Sequence, residues 1–242
     1  MFPQHGHIEV SVVIPVFNDR DALEKAIPES IDALKSITEY FELIIAEDGS
    51  SDGSTEVAKK WGTINSNIHL SHSTQRLGKG EAISRAFRIS RGSIVCFYDV
   101  DLATDMIHLS QIIDDIRQGY HISIGSRLIT GNNVDRTINR SISSKGYNFL
   151  VRTILKSSIF DHQCGFKAFN RDRLLALLPF VQTQSWFWDT EVLVRAQRAG
   201  YRIHERPVKW HSNEKSNVKM KDTFSLGTNI IRLWWQLHLI GS

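Results

Sequence analysis

Short apolar runs alternate with helical segments along the first half of the chain, and this order limits the folds that the chain can adopt. Runs rich in β-branched and aromatic residues predict buried strands at residues 10–15, 42–46, 68–70, 93–98 and 121–125. Helical patterns lie between them, at residues 22–37, 55–61, 78–91 and 106–118. Strands that alternate with helices form βαβ units, which predicts an α/β fold with a mainly parallel sheet.

The composition of the chain predicts one large domain over residues 1–242. Hydrophobic residues make up 41% of the 242 residues, which is enough for a sizeable core. The formal net charge of +3 argues against a nucleic-acid partner. Cys96 and Cys164 lie far apart with no CxxC pair, so neither a disulfide framework nor a zinc site is expected. We divide the domain into residues 8–126, a more basic half at about 127–220, and a tail at 221–242.

The sequence also bears on the cellular location. Residues 1–9 lack the apolar core of a signal peptide, and no window has about 18 consecutive apolar residues. These patterns predict a cytoplasmic protein without a spanning helix. Residues 147–156 and 230–240 are nevertheless amphipathic, and the second segment carries the adjacent Trp234 and Trp235. Such segments are typical of helices at a membrane surface, although packing on the domain or a dimer contact would use the same pattern.

Two carboxylates, Asp99 and Asp101, directly follow the apolar strand at residues 93–98. The carboxyl ends of strands in an open α/β sheet face the crevice where ligands bind. Paired aspartates there suit a hard divalent cation that also binds phosphate oxygens. On the triplet alone, two surface carboxylates in a turn remain the alternative interpretation.

Five segments, in this order and spacing, resemble family 2 glycosyltransferases with the GT-A fold. They are Ser11-Val12-Val13-Ile14-Pro15-Val16-Phe17-Asn18, Glu47-Asp48-Gly49-Ser50-Ser51-Asp52-Gly53-Ser54, Gly78-Lys79-Gly80, Asp99-Val100-Asp101 and Gly125-Ser126-Arg127. Two later segments, Gln163-Cys164-Gly165-Phe166-Lys167-Ala168-Phe169 and Trp186-Phe187-Trp188-Asp189-Thr190-Glu191, resemble the polyprenyl-phosphate branch, which includes dolichyl-phosphate β-glucosyltransferases and dolichol-phosphate mannose synthases. The resemblance implies a Rossmann-like, mainly parallel sheet flanked by helices, with amphipathic C-terminal helices.

The resemblance implies that the first half of the chain binds a nucleotide sugar. The implied binding residues are Pro15, Phe17, Asn18, Asp48, Lys79, Asp99, Val100 and Asp101. The resemblance assigns Asp48 to the base or ribose; the alternative is a carboxylate in a turn or helix cap, the role that we expect for Asp52 and Ser54. The glycines at 78 and 80 would let the backbone approach a ligand at a helix start, where anions are favoured.

Asp99 and Asp101 are the expected ligands of Mg²⁺ or Mn²⁺, which would stabilise the departing diphosphate. Mannose synthases of this family commonly carry a glutamine two residues after the second aspartate, where this chain has Ala103. The sequence Leu102-Ala103-Thr104 resembles the glucosyltransferase branch instead. A third side-chain ligand is therefore left open, with His211 as one candidate.

The second half of the chain is expected to bind phosphate groups of the acceptor and the donor. The implied residues are Arg127, Arg140, Ser144, Lys145 and Gln163. Guanidinium groups match phosphate geometry, and Arg140 and Ser144 share one helix face because they are four residues apart. Surface solvation is the alternative for each basic residue. The segment Lys215-Ser216-Asn217-Val218-Lys219 resembles a basic motif that closes over the diphosphate.

The expected catalytic residues are Asp99, Asp101, Arg127 and Asp189. In their aromatic setting, Asp189 and Glu191 suit a general base, a ligand of sugar hydroxyls or a buried structural pair. A phosphate monoester, with a second pKa of about 6, is already ionised near neutral pH and needs no base. We therefore expect Asp189 to position a hydroxyl, Glu191 to be structural and Cys164 to be a packed thiol.

Together the resemblance implies a metal-dependent, inverting hexosyltransferase. Glucose from UDP-glucose is the first expectation and mannose from GDP-mannose the second, with a polyprenyl (dolichyl-type) phosphate as acceptor. The enzyme would work peripherally on the cytosolic face of a membrane, alone, as a homo-oligomer or with a membrane-protein partner. Two alternatives remain: a glycan-extending family 2 enzyme with a hydroxyl acceptor, and a catalytically silent subunit that binds nucleotide sugars.

Overall fold

The computed structural model describes residues 8–129, 138–211 and 220–239, with the backbone alone at 138–143, 220–226 and 239. Seven strands are present in this part of the chain: β1 (Val10–Val16), β2 (Phe41–Asp48), β3 (Ile68–Ser73), β4 (Ile94–Tyr98), β5 (Ile122–Ser126), β6 (Phe166–Asn170) and β7 (Ile203–Pro207). The helices are α1 (Arg20–Lys35), α2 (Ser54–Ile64), α3 (Lys79–Ile89), α4 (His108–Arg117), α5 (Ile138–Ile154), α6 (Arg171–Leu177), α7 (Trp188–Arg198) and α8 (Met220–Leu239). A short 3-10 helix, Leu178–Phe180, follows α6.

The strands form one sheet in the order β3-β2-β1-β4-β6-β5-β7. All neighbouring pairs are parallel except those of β6, which runs antiparallel to both β4 and β5. The predicted α/β fold with a mainly parallel sheet is therefore confirmed. The apolar pattern predicts five of the strands and misses β6 and β7. It also ends β3 at Leu70, whereas the polar residues 71–73 continue the pairing with β2.

Helices cover both faces of the sheet because each presents an apolar stripe. Helix α1 buries Leu23, Ala26, Ile27 and Leu34, at the three- and four-residue spacing of one helix face. On the opposite side of the sheet, four aromatic rings from α3, β4, β6 and α7 pack with centroids 5.9–6.5 Å apart. These rings belong to Phe87, Phe97, Phe169 and Trp188.

The two amphipathic segments, on α5 and α8, pack part of their apolar surface on each other and on α7. Val151 and Leu155 of α5 meet Ile230 and Leu233 of α8 in a separate buried cluster. Other large apolar side chains of the same helices stay exposed: Phe149, Leu150, Ile231 and Trp235. Within the described residues, no helix combines the length and the apolar character needed to cross a membrane.

Candidate active site

The carboxyl ends of β1, β2, β4 and β5 meet at one edge of the sheet, and the candidate site lies there. At the end of β1, Asn18 adopts a left-handed backbone conformation, with φ of 50°. Its side-chain Oδ1 accepts a hydrogen bond from the Ser51 N–H (2.8 Å), and its own N–H donates to Ser50 Oγ (3.0 Å). Beside it, the guanidinium of Arg76 lies 4.0 Å from the centre of the Phe17 ring. Pro15, by contrast, is buried within β1.

Asp48 ends β2 and holds the start of α3. Its buried carboxylate accepts hydrogen bonds from the N–H groups of Leu77 (3.0 Å) and Gly78 (2.8 Å). Gly78 has a φ of +111°, and a Cβ atom there would lie 2.5 Å from the carbonyl oxygen of Gln184. Glycine is therefore required at this position for both its backbone conformation and the close approach. The contact of Asp48 with a nucleotide stays a prediction.

The turn role predicted for Asp52 and Ser54 is confirmed. The Asp52 carboxylate accepts hydrogen bonds from the Ser54 N–H (3.1 Å) and Oγ (2.6 Å). It also accepts one from the Arg20 N–H (2.9 Å), at the start of α1. These bonds hold the loop after β2 against the end of β1.

Lys79, the first residue of α3, extends across the site to the end of β4. Its Nζ donates to Asp99 Oδ1 (2.6 Å) and lies 4.6 Å from the centre of the Trp186 ring. Burial lowers the pKa of this ammonium group, but the carboxylates of Asp99 and Asp189 raise it, and the net pKa is raised. Lys79 therefore remains a cation within the site.

Asp99 and Asp101 lie in the turn that follows β4. A Cβ atom at Gly165 would lie 2.0 Å from Asp99 Oδ2, so the carboxylate occupies space that only glycine leaves free. Asp101 Oδ1 accepts a hydrogen bond from the Ala103 N–H (3.1 Å). Desolvation in the cleft and then the charge of Asp99 raise the pKa of Asp101. Two carboxylates are thus held close enough to repel each other, and Val100 between them packs partly against the core.

The donor set at the end of β4 fits a divalent cation. Mg²⁺ and Mn²⁺ prefer carboxylate oxygens, and a cation would offset the repulsion that raises the Asp101 pKa. Among the described residues, no group of three or more His, Cys, Asp or Glu side chains surrounds a common point. The backbone N–H of His211 donates to Ala103 O (2.8 Å), which brings residue 211 beside this turn. A ligand role for its exposed side chain stays a prediction.

Arg127 follows β5 and lines the same cleft as Asp99 and Asp101. Its Nε and Nη2 donate to the two carboxylate oxygens of Asp161, at 2.7 and 2.9 Å, and its backbone N–H donates to the same group at 2.9 Å. Burial raises the pKa of the Asp161 carboxyl, but Arg127 lowers it more, and the pKa falls to about 2. Asp161 was not expected from the sequence.

Asp189 lies in the first turn of α7 and is almost fully buried. Lys167 Nζ donates to its Oδ1 at 2.6 Å and also to the carbonyl oxygen of Cys164. The Lys167 side chain, which is fully buried on β6, was likewise not expected from the sequence. The negative charge of Asp189 also contributes to the raised pKa of Lys79.

The structure describes the side chains of only some of the other residues that are predicted to bind phosphate. Ser144, on α5, has a buried Oγ without a hydrogen-bond partner in the described part of the chain. Lys145 is exposed and Gln163 is half-buried. The side chain of Arg140 and the segment 215–219 lie outside the described residues.

Glu191 and Cys164 have the structural roles that the sequence predicts. The Glu191 carboxylate accepts hydrogen bonds from the N–H groups of Gln182 (3.2 Å) and Thr183 (2.9 Å) and from Arg195 Nε (2.8 Å). Burial raises the pKa of the Cys164 thiol to about 12, so this thiol is not a nucleophile near neutral pH.

Comparison with known proteins identifies relatives over most of the chain. Residues 11–177 match the model of the family described as glycosyl transferase family 2. Glycosyltransferase AglD of Haloferax volcanii is 43% identical over 95% of this chain, which spans only 38% of that relative. Dolichyl-phosphate beta-glucosyltransferase ALG5A of Trichomonas vaginalis is 31% identical over 93% of this chain and 73% of its own length. The dolichyl-phosphate beta-glucosyltransferase of Saccharomyces cerevisiae is 29% identical over the same shares.

Solved structures agree on the architecture. Glucosyl-3-phosphoglycerate synthase from Mycobacterium tuberculosis, crystallised with Mn²⁺, UDP and glucosyl-3-phosphoglycerate, superposes with a TM-score of 0.69. The match covers 95% of this chain and 79% of that one, at 18% identity, a level that shows the fold alone. The matched family model, the relatives and the shared architecture together confirm the prediction from the sequence: this chain is a GT-A protein that belongs to glycosyl transferase family 2.

Proposed function

We propose that this chain transfers glucose from UDP-glucose to a polyprenyl phosphate of the dolichyl type, with inversion at the sugar; GDP-mannose is the second donor to test. The names of its relatives support the acceptor class. The observation that carries the proposal is the cleft itself. Asp99 and Asp101, which suit a cation and a diphosphate, line the same cleft as Arg127, whose guanidinium suits a phosphate monoester.

On the donor side, Phe17, Asn18 and Asp48 form the rim where the nucleotide binds, and the Lys79 ammonium group lies beside the diphosphate. Asp99 and Asp101 would hold Mg²⁺ or Mn²⁺. When bound, such an ion offsets the negative charge that develops on the leaving diphosphate. Lys79 adds a second positive charge from the protein, and its ion pair with Asp99 keeps it within the site.

On the acceptor side, Arg127 binds the phosphate, and Arg140, Ser144, Lys145 and Gln163 complete the acceptor subsite. A phosphate oxygen forms a bond to the anomeric carbon from the face opposite the diphosphate. The bond from this carbon to the diphosphate oxygen breaks, and UDP leaves with the electron pair. The protein contributes alignment and charge stabilisation, because the ionised acceptor has no proton to lose.

The setting of Asp189 favours a phosphate acceptor over a hydroxyl acceptor. A general base must be free to accept a proton, whereas this carboxylate is almost fully buried and held by the Lys167 ammonium group. We therefore assign Asp189 to positioning a sugar or acceptor hydroxyl. The hydroxyl-acceptor alternative would require this ion pair to open during turnover.

The exposed apolar side chains of α5 and α8 give the enzyme a peripheral contact with the cytosolic face of a membrane. Trp235 is 53% exposed and is the aromatic side chain suited to the headgroup region. We expect Trp235→Ser to weaken flotation with liposomes containing anionic lipid, and Ile107→Ser, at an exposed site before α4, to leave it unchanged. Equal flotation of both variants would contradict this contact. A homo-oligomer or a membrane-protein partner remains compatible with it.

A transfer assay tests the reaction. Purified protein, Mg²⁺ or Mn²⁺ and a polyprenyl phosphate are incubated with labelled UDP-glucose or GDP-mannose, and the label in the organic phase is counted. We expect transfer from UDP-glucose, its loss in Asp101→Asn, and its retention in Asp114→Asn, which changes a half-exposed carboxylate on α4. Transfer to a soluble hydroxyl acceptor alone would replace the proposal with a glycan-extending enzyme. Nucleotide binding without turnover would replace it with a binding subunit.

A further inference from the structure

Two sets of hydrogen bonds, linked by the peptide bond between Asp161 and His162, connect Arg127 to the backbone of Ser144, the two residues to which we assign the acceptor phosphate. They pass through Asp161, His162 and Asn148, none of which was expected to have a role. The first link is the fork between Arg127 and Asp161. Two of the five guanidinium N–H donors point to Asp161, which leaves three that this carboxylate does not use. The guanidinium group therefore has a fixed orientation, and its three other N–H donors can bind a ligand in the cleft.

The second link runs from residue 162 to helix α5. The backbone N–H and the Nδ1 of His162 both point to Asn148 Oδ1, at 3.0 and 2.8 Å. Asn148 Nδ2 donates to the carbonyl oxygen of Ser144 at 2.9 Å. This arrangement fixes the His162 tautomer with a proton on Nδ1, since the amide oxygen can only accept. Ser144, with its buried Oγ, thus lies one helical turn before Asn148. Asn148 is in turn hydrogen-bonded to His162, the residue that follows Asp161.

The segment 157–162 is anchored from two further elements. Glu205 of β7 accepts hydrogen bonds from the N–H groups of Phe160 (2.9 Å) and Asp161 (2.8 Å). Gln197 of α7 accepts one from the Ser158 N–H (2.8 Å). Three elements therefore fix the backbone that carries Asp161 and His162, which leaves this segment little freedom to shift relative to α5.

We propose that Asp161 and Asn148 are positioning residues that set the separation between the Arg127 fork and the Ser144 hydroxyl, and thereby the affinity for the acceptor phosphate. This inference rests on the proposed function for the identity of the bound phosphate. Asp161 holds the orientation of the guanidinium, and Asn148 holds the turn of α5 that carries Ser144. Neither touches the ligand.

A second buried pair provides a matched control. Asp115 of α4 binds Arg206 of β7 through both carboxylate oxygens, and Asp115 is as buried as Asp161. That pair joins α4 to β7 and does not line the cleft. Asp115→Asn and Asp161→Asn therefore make the same chemical change in similar surroundings, and only the second is expected to alter phosphate binding.

The experiment measures the Kd of citronellyl phosphate, a ten-carbon soluble acceptor, in the presence of UDP by isothermal titration calorimetry. The Kd of UDP and the melting temperature are measured on the same samples. We expect Asp161→Asn to raise the Kd of citronellyl phosphate about tenfold and Asn148→Leu about fivefold, because misplaced groups bind the phosphate with fewer hydrogen bonds. The Kd of UDP should change less than about twofold. Asp115→Asn should lower the melting temperature and leave both Kd values unchanged.

Three results with the variants overturn the inference: unchanged binding of citronellyl phosphate in Asp161→Asn, an equal loss of UDP and citronellyl phosphate binding in that variant, or the same loss in Asp115→Asn. Wild-type protein that binds UDP but not citronellyl phosphate also overturns it. The proposed function fails separately. The expected Kd pattern without sugar transfer would overturn that function and keep the positioning roles, whereas transfer with unchanged Kd values would do the reverse.

Discussion

The two ends of the sheet carry the same types of charged residue but use them differently. At the amino ends of the strands, Glu42 accepts hydrogen bonds from Ser11 Oγ (2.6 Å) and from Arg91 N–H (2.7 Å) and Nε (2.8 Å). Burial alone would raise the pKa of Glu42, but these partners outweigh it and the pKa is lowered. At the carboxyl ends, the pKa of Asp101 is raised by desolvation and by the neighbouring Asp99.

The difference distinguishes a structural carboxylate from a functional one. A buried carboxylate whose ionised form the protein favours stabilises the fold, whereas a carboxylate whose pKa is raised by burial and by a neighbouring carboxylate is one that a bound cation would stabilise further. The amino end thus favours its ionised carboxylate without a ligand, whereas the carboxyl end is arranged for a bound cation beside the ion pair of Lys79 with Asp99. Substitutions at the carboxyl end should therefore lower activity, whereas substitutions at the amino end should lower stability.

The largest effect is expected for Asp101→Asn at the carboxyl end. Sugar transfer should fall about 10³-fold, because one of the two cation-binding carboxylates is lost. The free energy of unfolding should change little, because an amide oxygen can still accept the Ala103 N–H and the substitution also removes the repulsion from Asp99. Initial rates and urea denaturation of the same sample measure both quantities. A variant that loses activity because it unfolds would contradict the comparison.

Gly165→Ala should give the next largest effect, through Asp99. The added Cβ would lie 2.0 Å from Asp99 Oδ2, so the carboxylate must move, and we expect transfer to fall about 100-fold. Gly146→Ala on α5 is the control, since nothing lies within 4 Å of a Cβ built there. It should keep full activity and gain slightly in stability. Activity of Gly165→Ala equal to that of the control would show that the position of Asp99 is not critical.

Glu42→Gln tests the opposite end of the sheet. It should lower the free energy of unfolding by about 2 kcal/mol, because an amide cannot accept every hydrogen bond that Ser11 and Arg91 donate. Arg91 is 59% exposed, so solvent limits the loss. Transfer by the folded variant should match that of the wild type. A change in KM without a change in stability would mean that the amino end also contributes to the site.

Strands β1 to β5 could be predicted from the apolar pattern of the sequence, and β6 and β7 could not. Strands β1, β2 and β4 each contain an apolar run, at residues 12–16, 43–46 and 94–98, because helices cover both faces of the sheet. Strand β7, Ile203–Pro207, is an edge strand with mainly half-buried residues and shows no such run. Strand β6 contains Lys167, a charged residue in a buried position, and only its ion pair with Asp189 explains why a strand accommodates it.

The candidate site likewise contains residues that could be predicted from the sequence and residues that could not. Asp99, Asp101 and Arg127 could be placed together because each follows a predicted strand, and the carboxyl ends of parallel strands share one edge. Asp161 and Lys167 belong to the same charged network, but their partners lie 34 and 22 residues away in the chain. No local pattern marks such a pair. The antiparallel insertion of β6 between β4 and β5 places Lys167 between two strands that end at the cleft, and Asp161 lies in the segment that precedes β6.

The smallest effect is predicted for His162. Although this residue lies near the cleft, both of its ring nitrogens have hydrogen-bond partners within the protein, as expected for a structural residue. Burial lowers its pKa to about 3, outweighing the opposite influence of Asp161. Between this value and the ordinary histidine pKa of about 6.5, the unfolded chain binds a proton that the folded protein does not. The neutral His162 imidazole therefore contributes its full stabilisation above pH 6.5, and this stabilisation is lost as the pH falls from 6.5 towards 3. The loss should reach about 1 kcal/mol between pH 7 and pH 5.5.

Urea denaturation at both pH values measures this loss in the wild type and in His162→Gln. The variant should lose about 1 kcal/mol less than the wild type over the same interval, because its side chain does not titrate. His238→Gln, at an exposed position on α8, should keep the wild-type dependence. If His162→Gln kept that dependence too, the buried imidazole would not be the group that takes up the proton on unfolding. The hydrogen bonds of the neutral His162 imidazole would then not contribute the predicted pH-dependent stability of the folded protein.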